Sequence, residues 1–140
     1  MNYATLLSAV ENNICTITIN RPDKLNALNR DVMNDLHDIF AELEDREDVR
    51  SVIITGAGPK SFVAGADISE FVGLSGGEGM ELARRGHDIF FKIENFSKPV
   101  VAAVNGFALG GGCELVRLLE VVLRLLLLGE EGLLGGRVLT

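Results

Sequence analysis

Two glycine-bearing turns and one carboxylate are the residues of this chain with the clearest chemical potential. Ala64-Gly65-Ala66-Asp67 follows the extended run Phe62-Val63, and Gly110-Gly111-Gly112 follows the β-branched run Val100 to Val104, with a helix predicted beyond it. Glycine removes the Cβ barrier to unusual φ values, and free N–H groups at a helix start attract negative charge. Two such turns facing one another would offer two amide donors to an oxygen that gains charge during a reaction, an oxyanion hole. Taken singly, each turn is equally an ordinary tight connection. Glu114 stands in the first turn after the triple glycine, where it either handles a proton beside that hole or complements the helix dipole.

Other chemistries find less support. No acidic residue follows Gly110-Gly111-Gly112 at the spacing of a dinucleotide fingerprint, and no GK[ST] phosphate loop occurs, which disfavours nucleotide hydrolysis. His37 and His87 fall within helical patterns on solvated faces, and Cys113 has no partner base. Cys15 and Cys113 show no CxxC spacing, so neither a disulfide framework nor a zinc site is expected, and a reduced cytoplasmic setting fits. Asp and Glu alone suggest no metal site. The formal charge of −7 over 140 residues, without a Lys/Arg cluster, argues against nucleic acid. The N-terminus lacks the basic and apolar regions of a secretory signal. The most apolar segment, Val121 to Leu128, is interrupted by Arg124 and is too short for a membrane span.

The elements that must position these groups alternate between strand and helix patterns. Residues 5–10 and 14–19 are β-rich around the turn-forming Asn12-Asn13, which predicts a hairpin that ends at Arg21-Pro22. Asn29 is a plausible N-cap for a helix with Val32, Leu36, Ile39, Phe40 and Leu43 on one face, closed by the acidic run around Asp45. Ser51 to Thr55 reads as a buried strand entering the loop Gly56-Ala57-Gly58-Pro59. Ala66 to Phe71 starts a helix with Asp67 and Glu70 in its first turn, and Gly73 to Gly79 breaks it. Helical spacing resumes over residues 80–95 through Leu82, Ile89, Phe90 and Ile93, until Pro99 forces an extended conformation. Strands separated by amphipathic helices indicate an α/β layered domain with functional groups at strand ends.

Read together, these segments resemble the enoyl-CoA hydratase/isomerase (crotonase) family from about residue 5 to Leu115. The residues that carry the likeness are Ile19-Asn20-Arg21-Pro22 with Leu25-Asn26-Ala27-Leu28, then Phe62 to Ile68 (FVAGADI), then Lys98-Pro99-Val100 through NGFALGGGCEL at 105–115. The resemblance implies an α/β crotonase-like fold of repeated ββα units, cut short at its C-terminus. It implies an oxyanion hole from the N–H groups of Ala66 and Gly111, which would hold a thioester carbonyl oxygen. Lys24, Leu25, Ala27, Ala64, Asp67, Ile68 and Gly110 would bind the coenzyme A thioester. Four of these have a bland alternative: Lys24 solvated, Leu25 and Ile68 in the core, Asp67 a helix cap. Glu114 falls on the position of one of the hydratases' two catalytic glutamates. The nearest match to the second is Glu131, within Glu130-Glu131-Gly132-Leu133-Leu134-Gly135, where Glu130 replaces a proline and the spacing is shorter by a few residues.

The implied activity is hydration of a 2-enoyl-CoA through a stabilised enolate, in fatty acid or related acyl-CoA metabolism. No cofactor is needed, since coenzyme A is part of the substrate. The expected partner is the acyl-CoA thioester, with no nucleic acid and no membrane, in a homotrimer or hexamer. An isomerase, which needs one placed base rather than two carboxylates, and a catalytically incomplete CoA-binding fragment are the alternatives. Residues 1–115 form the acyl-CoA-binding core of this reading. Residues 116–140 use only Val, Arg, Leu, Glu, Gly and Thr, a shift in composition that sets them apart as an atypical low-complexity tail. Leu118, Val122, Leu125 and Leu126 predict a helix face there, with Glu120 and Arg124 paired on the other side.

Overall fold

The structure, a computed structural model, describes residues 2–123 and 137–139. Strands β1 (Leu6–Glu11) and β2 (Ile14–Ile19) form the predicted hairpin, with Asn12 and Asn13 both at positive φ (53° and 65°), a conformation asparagine tolerates. Helix α1 (Arg30–Glu44) follows, then β3 (Ser51–Gly56), β4 (Ser61–Ala64), α2 (Gly76–Glu94), β5 (Val100–Val104), β6 (Phe107–Leu109), α3 (Gly111–Leu118), β7 (Glu120–Leu123) and β8 (Arg137–Leu139).

Six strands make one sheet in the order β1-β2-β3-β5-β7-β8, and β4 pairs with β6 in a separate two-stranded sheet. The four central strands are parallel, and the antiparallel neighbours β1 and β8 close the edges. Parallel neighbours require crossovers, which α1, α2 and α3 supply. Register sets Cys15 opposite Val52 and Val52 opposite Val100, while Ile17 faces Ile54 and Ile54 faces Ala102. These rows point to one face, and all are buried with Val32, Leu36, Ile39 and Leu43 of α1 in a common core. The alternation of burial along β2, β3 and β5 follows from the two-residue period of a strand.

Three local predictions need correction. The stretch from Ala66 becomes only a short 3-10 turn, Ile68–Phe71, capped by the Asp67 carboxylate, which accepts from the Ser69 N–H, and ended by extended Val72 and by Gly73 at φ 82°. Helix α2 begins inside the glycine-rich stretch rather than after it. Ser75 accepts from the Glu78 N–H while the Glu78 carboxylate accepts from the Ser75 N–H, and this capping box outweighs Gly76, Gly77 and Gly79 in the first turns. The helix expected through Leu118 and Val122 stops at Leu118. Glu120–Leu123 is instead a strand parallel to β5, the outcome for a short β-branched run with an open strand edge beside it. Arg124, Leu125 and Leu126 lie outside the described residues.

Candidate active site

The segment around Leu25 is the local device from which the site is built. Leu25 and Asn26 both adopt left-handed φ (53° and 57°), which turns the chain sharply after the 3-10 turn Pro22–Lys24. Asn26 is fully buried, and its side chain replaces the backbone bonds this turn cannot make. Its Oδ1 accepts from the Arg21 N–H at 2.9 Å, and its Nδ2 donates to the carbonyls of Ala57 (3.0 Å) and Ser61 (2.9 Å). Residues 25–28 thereby run beside residues 64–67. Ala64 N–H donates to the Leu25 carbonyl, Leu28 N–H to the Gly65 carbonyl, and Asp67 N–H to the Leu28 carbonyl.

That pattern is a parallel bridge between Leu28 and Ala66. In such a bridge the residues flanking Ala66 make the bonds, so the N–H and C=O of Ala66 itself point to the opposite side. Among the described residues, the Ala66 N–H donates to no protein group.

The second turn reaches the same place from β6. Gly110 has φ +50° and Gly65 φ +90°, and a Cβ on Gly110 would sit 3.2 Å from the Gly65 Cα, so the two turns are in contact. Gly111 opens α3, and its N–H has no helical partner, as for every first helical residue. Helix α3 lies against β4 and β6. Glu114 N–H donates to the Gly110 carbonyl at 3.0 Å, the first bond of that helix.

A cleft of about 330 Å³ opens over this junction, and Ala66, Asp67, Gly110, Gly111 and Glu114 all line it. Leu28, Met33, Phe71, Leu82 and Phe90 supply apolar wall. The half-buried Glu114 carboxylate accepts from Arg117 Nη2 at 2.6 Å, with Arg117 Nε 3.4 Å from its other oxygen. Lys24, Leu25, Ala27, Ala64 and Ile68 do not line the cleft. They lie on the two hydrogen-bonded segments beside it, with Lys24, Leu25 and Ile68 exposed and Ala27 and Ala64 half-buried. Glu131 lies outside the described residues.

Asp67 lines the cleft, yet its carboxylate is committed elsewhere. Oδ1 accepts from the Ser69 hydroxyl (2.6 Å) and N–H (3.1 Å), and Oδ2 accepts from Arg21 Nη2 at 3.3 Å. Arg21 also donates to the Ala27 carbonyl at 2.6 Å, so it ties together the two segments that aim Ala66. The Ser69 hydroxyl foremost, then its N–H and Arg21, hold the Asp67 pKa below the ordinary 3.8. Because the folded value is depressed, this contribution to stability is present above pH 3.8 and lost as pH falls through the folded value. Thermal melts of Asp67→Asn are expected to start lower at neutral pH and to fall less steeply than those of the parent on acidification below pH 3.8.

Two further groups, read from the sequence only as helix residues, line the wall. Glu70 accepts from the Arg30 N–H at the start of α1, and His87, exposed as its helical pattern implied, shares the α2 stripe Ala83, Gly86, His87 and Phe90 that faces the cleft. The spacing i, i+3, i+4, i+7 of that stripe was visible, but a histidine within it reads as surface.

These features define an α/β domain that presents two uncommitted amide donors and a carboxylate in one cleft. The chain belongs to the enoyl-CoA hydratase/isomerase family, whose model matches residues 9–123. It is 48% identical over 115 residues to the short-chain-enoyl-CoA hydratase of Clostridium acetobutylicum, covering 82% of this chain and 44% of that protein. Identity to the crotonyl-CoA hydratase of Syntrophomonas wolfei is 47% over 115 residues, with the same coverage of 82% and 44%. Among solved structures, Pseudomonas aeruginosa DspI superposes with a TM-score of 0.82 at 31% identity, covering 88% of this chain and 50% of that one. The enoyl-CoA hydratase from Bacillus anthracis gives a TM-score of 0.77 at 29% identity, covering 85% of this chain and 50% of that one. The fold is therefore crotonase-like, and the chain spans less than half the length of these two curated relatives.

Proposed function

We propose that this chain hydrates short-chain 2-enoyl-CoA thioesters. The observation that carries the reading is the pairing of two uncommitted backbone N–H groups, on Ala66 and Gly111, with the Glu114 carboxylate in one cleft. The family, and relatives named for hydration of short-chain enoyl-CoA and crotonyl-CoA, support it.

In this mechanism the thioester carbonyl oxygen accepts from Ala66 and Gly111. Glu114 takes a proton from water as the water oxygen bonds to Cβ, and the Cα=Cβ electron pair moves into the carbonyl to give an enolate. Preorganised donors stabilise that oxygen more as its charge grows, an effect worth roughly 3–4 kcal/mol per donor in comparable sites. A second acid must then deliver a proton to Cα, and the sequence offers Glu131. The substrate brings its own coenzyme A, with Lys24, Leu25, Ala27, Ala64 and Ile68 beside the cleft as candidate contacts for it. Asp67 and Gly110 line the thioester end. Assembly as a homotrimer or hexamer and a cytoplasmic setting belong to the same reading. No helix of the described residues is long and apolar enough to cross a membrane.

The test is the ultraviolet absorbance of crotonyl-CoA, whose conjugated enoyl thioester is consumed by hydration. A protein-dependent loss of absorbance, with 3-hydroxybutyryl-CoA as product, is expected. An unchanged spectrum in the presence of folded protein would sink the proposal.

A further inference from the structure

We propose that His87, in place of the Glu131 that the sequence offers, is the acid/base group of this cleft that exchanges the proton at Cα of the bound thioester, an inference that rests on the acyl-CoA reading above. Gly111 and Phe90 are in contact, since a Cβ on Gly111 would sit 3.6 Å from the Phe90 ring. His87 lies three residues earlier on the same face of α2, about 4.5 Å back along the helix axis. Glu114 lies three residues beyond Gly111 on α3. His87 and Glu114 thus each stand three residues along a helix from the same contact, and both line the one cleft.

Partnering distinguishes His87 from the other acid/base groups there. Asp67 is held by Ser69 and Arg21, Glu70 by the Arg30 N–H, and Glu114 by Arg117. His87, exposed at the cleft's edge, alone among the carboxylate and imidazole groups described in this cleft makes no hydrogen bond or ion pair with protein. Imidazole both donates and accepts protons near neutral pH, which suits repeated transfer to and from carbon. The charged residues that line the cleft with it are Glu114 on α3, Glu70 and the capping Asp67 of the 3-10 segment, and Arg30 on α1, while Arg84 and Asp88 are its neighbours along its own helix.

After Glu114 has taken the water proton and the C–O bond has formed at Cβ, the enolate electron pair takes the imidazolium N–H proton. The Cα–H bond forms, the N–H bond breaks, and neutral imidazole remains. Exchange with solvent then moves a proton from the Glu114 carboxyl back to His87. In reverse, neutral His87 removes an α-proton from a saturated thioester, a step that needs no water at Cβ.

The experiment follows deuterium entry at Cα of butyryl-CoA in deuterium oxide by mass spectrometry, using the full chain. His87→Gln, His37→Gln and Glu131→Gln are compared with the parent, alongside crotonyl-CoA hydration. The expected result is exchange in the parent that falls at least tenfold in His87→Gln and is unchanged in His37→Gln, a surface control on α1. Exchange that depends on His87 without hydration would retain this inference and overturn the hydratase reading. Hydration with exchange unaffected by His87→Gln, or abolished by Glu131→Gln alone, would overturn the inference and leave the hydratase reading standing. Absence of both activities in the folded parent would overturn both.

Discussion

A Glu114→Gln variant is expected to hydrate crotonyl-CoA about 10²- to 10⁴-fold more slowly than the parent, with little change in KM. Glutamine keeps the length and planarity of the side chain and its place in the first turn of α3, but it cannot accept the water proton. In the proposed mechanism the thioester is held by the Ala66 and Gly111 N–H groups, which need no carboxylate, so the loss belongs in kcat. The competing role for Glu114, as a complement to the helix dipole, makes a different forecast: a stability change of about 0.3–1 kcal/mol and unaltered kinetics. Measuring rate and melting temperature on the same preparation separates the two. Arg117 is two-thirds exposed and is held to the carboxylate from the same helix, so it can swing aside to let an oxygen face water. A kcat within threefold of the parent would remove Glu114 from the chemistry.

Much of this arrangement was legible from residue types. Glycines after strands marked both turns, and the apolar spacing of α1 marked its buried face, since each signal is local in the chain. The contact of Gly65 with Gly110 was not legible, because it depends on β4 pairing with β6. Strand β6 is three residues between Gly106 and Gly110, too short to show a strand period. The free Ala66 N–H was equally hidden. It follows from a bridge to Leu28, thirty-eight residues earlier, that the left-handed turn at Leu25-Asn26 and three Asn26 hydrogen bonds set up. Strand β7 was misread for a different reason. A short apolar run fits helix or strand alike, and the partner that decides, β5, lies sixteen or more residues away. The position of His87 was readable as spacing but not as environment, since the wall opposite α2 is made by residues near 30, 66 and 111.

Gly112→Ala is expected to destabilise the protein by about 3 kcal/mol, roughly a 10 °C fall in melting temperature, and to abolish thioester binding at the cleft. The added Cβ would fall 2.2 Å from the Val63 carbonyl oxygen and 2.8 Å from the Val63 Cβ. Most of that obstacle is β4 backbone, so no side-chain rotation relieves it and α3 must move off the strand. Helix α3 carries Gly111 and Glu114, and its distance from β4 fixes how far the Gly111 N–H stands from the Ala66 N–H. Loss of packing and loss of the site are therefore coupled through one contact. Gly79→Ala is the matched control, because a Cβ there meets nothing within 4 Å and lies in the first turns of α2. It is expected to raise stability by about 0.5–1 kcal/mol through the lower chain entropy of alanine. Equal melting temperatures for Gly112→Ala and the parent would mean that α3 does not pack on β4 as described, and with it would go the basis for placing both amide donors on one oxygen.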